Sequence, residues 1–177
     1  MYDKHMSGVA KAIAFVILVG VIAIWSLVFY AQKSPEILPH ALFLAVLLIN
    51  TFVSIRFFAN IQPQNMGQVF IDALLAVIYI GLALVLGQPF LFAFVALLLF
   101  IFSPIKYALM LDTIPHTLLI KKKLLVNLCG TGACALLLAV TFLGYSIFAA
   151  WAFAISFTFA NMYLLIINPM YRLSESK

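Results

Sequence analysis

Long apolar segments alternate with short polar breaks along the whole chain. Six of these segments run for roughly 20 residues, the length that a helix needs to cross ~30 Å of hydrocarbon. The predicted membrane-spanning helices cover residues 9–31, 37–58, 67–87, 89–110, 124–144 and 145–167. The breaks at Gly87 and Gly144 are very short, so the helices on either side of each break are predicted to form tight antiparallel hairpins.

The apolar runs are continuous, which decides between the two structures that can span a bilayer. Strands of a membrane barrel would alternate apolar and polar residues over about ten positions. Helices satisfy their own backbone hydrogen bonds within lipid, and they tolerate unbroken apolar runs. The composition agrees, because 67% of the 177 residues are hydrophobic and 8% are charged, against about 25% charged in a soluble domain. The sequence predicts an all-α polytopic integral membrane protein that forms a single domain, with no soluble domain.

The positive charges gather on one side of the predicted bilayer. If the N-terminus is cytoplasmic, nine of the ten Lys and Arg residues lie on the cytoplasmic side, and only Lys33 lies outside. The formal charge of +5 therefore indicates a membrane surface rather than nucleic acid as partner. We expect both termini in the cytoplasm and the protein in the cytoplasmic (inner) membrane. The nine residues are Lys4, Lys11, Arg56, Lys106, Lys121, Lys122, Lys123, Arg172 and Lys177.

Asp72 is the strongest candidate for a polar site, because an ionisable side chain within a membrane span is costly. It lies about five residues into the third span, ~7.5 Å from its inner end at 1.5 Å per residue. Arg56 and Lys106 are predicted at similar depth, so Asp72 can pair with either. Such a pair could belong to a ligand or partner site that opens to the cytoplasm, or it could be purely structural, with the long side chains reaching the interface.

Two amides, Asn50 and Asn161, lie deeper in their spans. Amides at this depth commonly hydrogen-bond a neighbouring helix, and they can also contact a solute. Lys121, Lys122 and Lys123 lie where the fifth span leaves the cytoplasm. Three cations at an interface attract anionic lipid headgroups at about 1 kcal/mol each. They also suit a topology anchor or an acidic partner.

The fifth span contains a run of small residues that would let another helix approach closely. Gly130, Gly132 and Cys134 are predicted to pack against a helix of this chain or of a partner protein. Cys129 and Cys134 are five positions apart and do not share a helix face, so they do not form a metal pair. The sequence predicts no metal site and no cofactor.

Three functions remain open at this point. No phosphate-binding loop, HExxH or nucleophile elbow is present, and no catalytic residue is assigned. We expect first a non-enzymatic subunit of a larger membrane assembly, with a partner membrane protein or a second copy of the chain. The alternative is a small transporter or channel for a neutral or amphipathic solute with a polar site at the cytoplasmic side. A third hypothesis is an enzyme that acts on lipid headgroups at the inner interface.

Overall fold

A computed structural model of the chain describes residues 2–59, 65–111 and 117–168. Within these ranges there are six α-helices and no strand, and each helix, the last together with the π-helical turn that continues it, contains a segment long and apolar enough to cross a membrane. The predicted all-α polytopic membrane fold is confirmed. The helices are α1 (Tyr2–Tyr30), α2 (Ile37–Phe58), α3 (Met66–Leu84), α4 (Pro89–Ala108), α5 (Thr117–Phe142) and α6 (Ser146–Met162), and a π-helical turn (Tyr163–Ile167) continues α6.

The six helices form a closed ring. In ring order the principal contacts join α1, α2, α6, α5, α4 and α3, and α3 returns to α1. The ring has two ends. The basic end carries Arg56, Lys106 and the lysines 121–123, and the Glu36 end carries the connections at 31–36, 85–88 and 143–145. Because each helix packs mainly on its two ring neighbours, the fold needs side chains to fill its centre.

Aromatic side chains fill the half of the helix ring that lies toward the Glu36 end. Phe43 of α2 packs on two residues of α6, with its ring centroid 4.8 Å from that of Phe153 and 4.5 Å from that of Phe157. Phe92 packs edge-on against Phe43 and stacks on His40, whose ring centroid is 3.8 Å away. Aromatic pairs at such separations stabilise by about 0.5–1.5 kcal/mol each beyond the area they bury.

Two short connections form the predicted hairpins at the Glu36 end, and a glycine is required in each. Gly144 lies between α5 and α6 with φ +89°, a left-handed conformation that other residues rarely adopt. Gly87 lies between α3 and α4, where a Cβ atom would overlap the side chain of Tyr30. The tight hairpins predicted from the sequence are confirmed.

Hydrogen bonds close the Glu36 end. The buried Glu36 carboxylate accepts bonds from the hydroxyls of Ser34 (2.9 Å) and Ser146 (2.5 Å), so it ties the α1–α2 connection to the start of α6. The Nδ1 atom of buried His40 donates to the carbonyl oxygen of Leu86 at 2.7 Å and ties α2 to the α3–α4 connection. Glu36 is a buried acid that the sequence analysis did not single out.

The small residues of α5 divide between two faces. Gly130 faces α4, where a Cβ atom would overlap the ring of Phe100, and Cys134 is fully buried. Gly132 lies on the exposed face, with open space around its Cα. Gly130 and Cys134 therefore serve close packing within the ring, whereas Gly132 faces away from it.

The contact between α4 and α5 also accommodates a proline in α4. Pro104 has no N–H, so the carbonyl oxygen of Phe100, four residues earlier, loses its helical donor. The hydroxyl of Thr131 on α5 donates to that oxygen at 2.7 Å. An unsatisfied carbonyl in lipid costs several kcal/mol, so Thr131 removes the penalty that Pro104 introduces.

Candidate ligand-binding cavity

The half of the ring toward the basic end is open and holds a cavity of about 870 Å³. All six helices contribute to its walls. Its floor is apolar and is formed by Phe100, Phe153 and Phe157 of the aromatic cluster together with Leu47 and Leu99. The volume lies in the range of roughly 300–1,000 Å³ that is typical of pockets for one small molecule. The cavity is therefore large enough for a ligand with an apolar portion.

A polar stripe on α2 crosses the cavity and links three helices. The side-chain oxygen of Asn50 accepts a bond of 3.2 Å from Lys123 Nζ of α5. The hydroxyl of Thr51 bonds that of Tyr79 on α3, and Ser54 bonds Tyr107 on α4 at 3.2 Å. Asn50, predicted as a deep amide, thus makes an interhelical bond and lines the cavity.

Asp72 also lines the cavity, and the structure selects one of its two proposed partners. Its carboxylate oxygen lies 2.7 Å from Lys106 Nζ, so the pair joins α3 to α4. Arg56 is exposed on α2 and is not part of the cavity wall.

The three consecutive lysines point in different directions. Lys121 and Lys122 are exposed, whereas Lys123 is only 5% exposed and lies in the cavity wall, with Nζ 5.9 Å from the ring centroid of Tyr107. The helix explains the division. α5 begins at Thr117, before the apolar span expected from residue 124, so the lysines occupy successive helical positions separated by about 100°. Three such residues cannot all face water on one side of a helix.

Two cavity amides are buried with unused hydrogen-bonding atoms. Gln68 is 1% exposed, and neither its side-chain oxygen nor its nitrogen has a partner among the described residues. Asn161 is 4% exposed. Its nitrogen donates to the Phe157 carbonyl at 2.9 Å, and its oxygen has no partner in the described part of the chain. Each unsatisfied buried group costs about 1–3 kcal/mol. A bound molecule in the cavity could satisfy both amides.

Gln68 is a site residue that the sequence analysis missed, although a signal for it exists. Asn65 caps α3 by accepting the backbone N–H of Gln68 at 2.8 Å, which starts the helix just before it. Gln68, Asp72, Leu75 and Tyr79 then recur at helical spacing, and all four line the cavity. Gln68 and Asp72 are four residues apart, so helical periodicity alone would have placed them on the same face of α3.

Several residues of α5 and α6 both line the cavity and are exposed. Leu137 of α5 is 4% exposed near the Glu36 end, where Ala149 of α6 is also buried. Closer to the basic end of α5, Cys129 is exposed and Leu125 is 63% exposed, and both line the cavity. On α6, Ala160 is likewise both exposed and part of the wall. We infer from these residues that the cavity has a side opening at the surface between α5 and α6.

The charges of the described lining residues are mainly positive. Three lysines and one carboxylate are among these residues, so their formal charges sum to +2. In the described part of the chain, no group of three His, Cys, Asp or Glu side chains could hold a metal ion. The described lining residues that carry charge are Lys11, Asp72, Lys106 and Lys123.

Comparisons with known proteins add no further constraint. No family model matches the chain, and neither curated proteins nor solved structures provide a match. The function of this multi-pass membrane protein must therefore be argued from the cavity itself.

Proposed function

We propose that the protein is a small transporter that takes an amphipathic solute into the cavity of its helix ring. The observation that carries this proposal is the pair of buried amides, Gln68 and Asn161, which line an 870 Å³ cavity with unused hydrogen-bonding atoms. A structural polar network satisfies its members, since each unsatisfied group lowers stability. A ligand-binding site instead leaves such groups for the molecule that it receives.

The shape of the cavity suits a molecule with one apolar and one polar portion. The aromatic floor can hold an alkyl or ring portion, and the polar residues toward the basic end can hold a headgroup. The gap between α5 and α6 gives access from the lipid, where amphipathic molecules concentrate. The excess of Lys and Arg at the basic end supports a cytoplasmic position for the headgroup.

Filling the cavity tests this proposal. Ala76 of α3 lines the cavity, whereas Ala73 on the same helix is exposed and outside the wall. In proteoliposomes with a fluorescent lysophospholipid, the wild type should show saturable binding and faster movement of the probe between leaflets. A76F should abolish both, because a phenyl ring would occupy the site. A73F, the matched control, should behave as the wild type. Equal binding by A76F and the wild type would contradict the proposal.

A second candidate is a subunit of a larger membrane assembly. It is favoured by a row of small, exposed residues on α5, where Gly132, Ala135 and Ala139 leave room for a helix of another chain. Affinity purification in mild detergent should then recover a partner at fixed stoichiometry, and G132L should release it. A wild-type protein that is recovered alone and moves the probe in liposomes would eliminate this candidate.

A further inference from the structure

The charges and amides of the cavity restrict the class of molecule that it can receive. We infer that the ligand is a single-chain amphiphile with an anionic headgroup that also carries a hydroxyl group, and that Lys123 contacts the anion. This inference rests on the proposed binding function and specifies its ligand.

The first step concerns the sign of the charge. Lys123 is 5% exposed, and the described residues of the wall carry a net formal charge of +2. Coulomb interactions are much stronger away from water, because the effective dielectric constant falls from about 80 to roughly 20 or less. A cationic cavity at membrane depth therefore favours an anion over a neutral or cationic molecule of equal size. The bond from Lys123 to Asn50 holds the ammonium group at the wall of the cavity.

The second step concerns the headgroup. Asn161 offers an oxygen, which needs a donor, and Gln68 offers both an oxygen and a nitrogen. A bare carboxylate or phosphate only accepts hydrogen bonds and would leave the two oxygens unsatisfied. A headgroup that combines an anion with a hydroxyl group supplies both kinds of partner.

The third step concerns the apolar portion. Five apolar side chains form the floor, and the volume of about 870 Å³ is typical of a pocket for one small molecule. One alkyl chain with its headgroup matches this volume. The opening between α5 and α6 lets such a molecule enter sideways without removing its chain from hydrocarbon.

Two probes with the same acyl chain compare headgroups of different net charge. Lysophosphatidylglycerol is anionic and lysophosphatidylcholine is zwitterionic, and both carry the free hydroxyl group of the lysolipid glycerol. In nanodiscs of phosphatidylcholine, the wild type should bind the first about tenfold more tightly, the effect of one hydrogen bond to a charged group. K123M should lose this preference and K123R should keep it. K122M, which removes an exposed neighbouring lysine, is the matched control and should keep the full preference.

D72N provides an independent check, because it removes the carboxylate from the wall. The preference for lysophosphatidylglycerol should increase in this variant. An unchanged or reduced preference in well-folded D72N would overturn the assignment of the charge. Diacyl phosphatidylglycerol should compete at least about tenfold less well than the single-chain lipid, and equal competition would overturn the single-chain assignment.

The outcomes separate the two proposals. If the wild type binds both lysolipids saturably with equal affinity, the inference about the anion is wrong and the binding function stands. If it binds neither lysolipid saturably, both proposals fail. If glycerol 3-phosphate alone binds as tightly as lysophosphatidylglycerol, the apolar portion contributes nothing and the amphiphile assignment is wrong.

Discussion

At the scale of single residues, buried polar groups have contrasting roles at the two ends of the ring. At the Glu36 end, the Glu36 carboxylate receives two hydroxyl donors and closes the bundle. In the cavity, Gln68 has no described partner for its side-chain amide. A buried polar group with a hydrogen-bond partner stabilises one structure. A buried polar group without a partner lowers stability, and a ligand that bonds to it removes this loss.

Glu36 gives the residue-scale prediction, which concerns pH. Burial acts to raise the pKa of Glu36, but hydrogen bonds from Ser146 and Ser34 outweigh it and hold the pKa below its ordinary value. A depressed pKa in the folded state contributes stability above the unfolded value of about 4.3, and this contribution is lost as pH falls through the folded pKa. E36Q should therefore be less stable than the wild type at pH 7 by about 1–2 kcal/mol, and the difference should shrink below about pH 4.3.

Thermal unfolding in detergent at several pH values measures the Glu36 effect. S146A removes one donor to the carboxylate, so it should reproduce part of the loss at pH 7. A difference between E36Q and the wild type that stays constant from pH 7 to pH 3 would show that the ionised carboxylate is not the source.

At the scale of helices, the contact between α4 and α5 depends on small residues and on one hydroxyl. Gly130 lets the two helices approach where the ring of Phe100 lies. Thr131, the next residue, satisfies the Phe100 carbonyl that Pro104 leaves open. The same stretch of α5 thus allows close packing and supplies the hydrogen bond that Pro104 removes from α4.

The element-scale prediction compares two glycines of α5. G130L should destabilise the protein by about 1–3 kcal/mol, because the new side chain would overlap the ring of Phe100 and force α4 and α5 apart. G132L is the matched control and should have little effect on the stability of the isolated protein, since its position is open. The fraction folded during titration with a denaturing detergent reports the difference. Equal destabilisation by both changes would contradict the assigned faces.

At the scale of the whole molecule, the order of helices in the ring creates the cavity. Two non-sequential contacts, α2 with α6 and α1 with α3, close the ring. The aromatic cluster fills the half toward the Glu36 end and leaves the basic half open. Exposed lining residues of α5 and α6 mark where this space reaches the surface between the two helices.

Cys129 provides the whole-molecule prediction, because it lies at the opening between α5 and α6. Cys129 is exposed and lines the cavity, whereas Cys134 is buried within the helix ring. A thiol must ionise to react, which requires access to water, and the cavity that Cys129 lines is open toward the basic end. N-ethylmaleimide should therefore label Cys129 in C134S faster than it labels Cys134 in C129S. Saturating lysophosphatidylglycerol should slow the labelling of Cys129.

Labelling followed by intact-mass spectrometry gives both rates in nanodiscs. The rate for Cys134 serves as the internal reference for unfolding, because that thiol reacts only when the ring opens. If saturating probe left the rate for Cys129 unchanged, the ligand would not occupy the space beside this opening.

The sequence by itself determined the fold class, the two hairpins, the basic end and the candidate pairing of Asp72 with a nearby cation. These features depend on hydropathy, turn residues and charge, which are local properties of the chain. The sequence also predicted that Asn50 and Asn161 lie deep in their membrane spans. It did not separate Lys123 from Lys121 and Lys122, because its apolar pattern marks where hydrocarbon begins and not where the helix begins.

Only the tertiary structure decided the order of the ring, the inward face of each helix and the existence of the cavity. The physical reason is the solvent. Lipid tails are as apolar as leucine, so a helix face that packs on protein and one that contacts lipid can carry the same residues. The contrast between polar and apolar faces that orients helices in water is therefore weak here. The roles of Gln68, Thr131 and Lys123 follow from which helices stand opposite them.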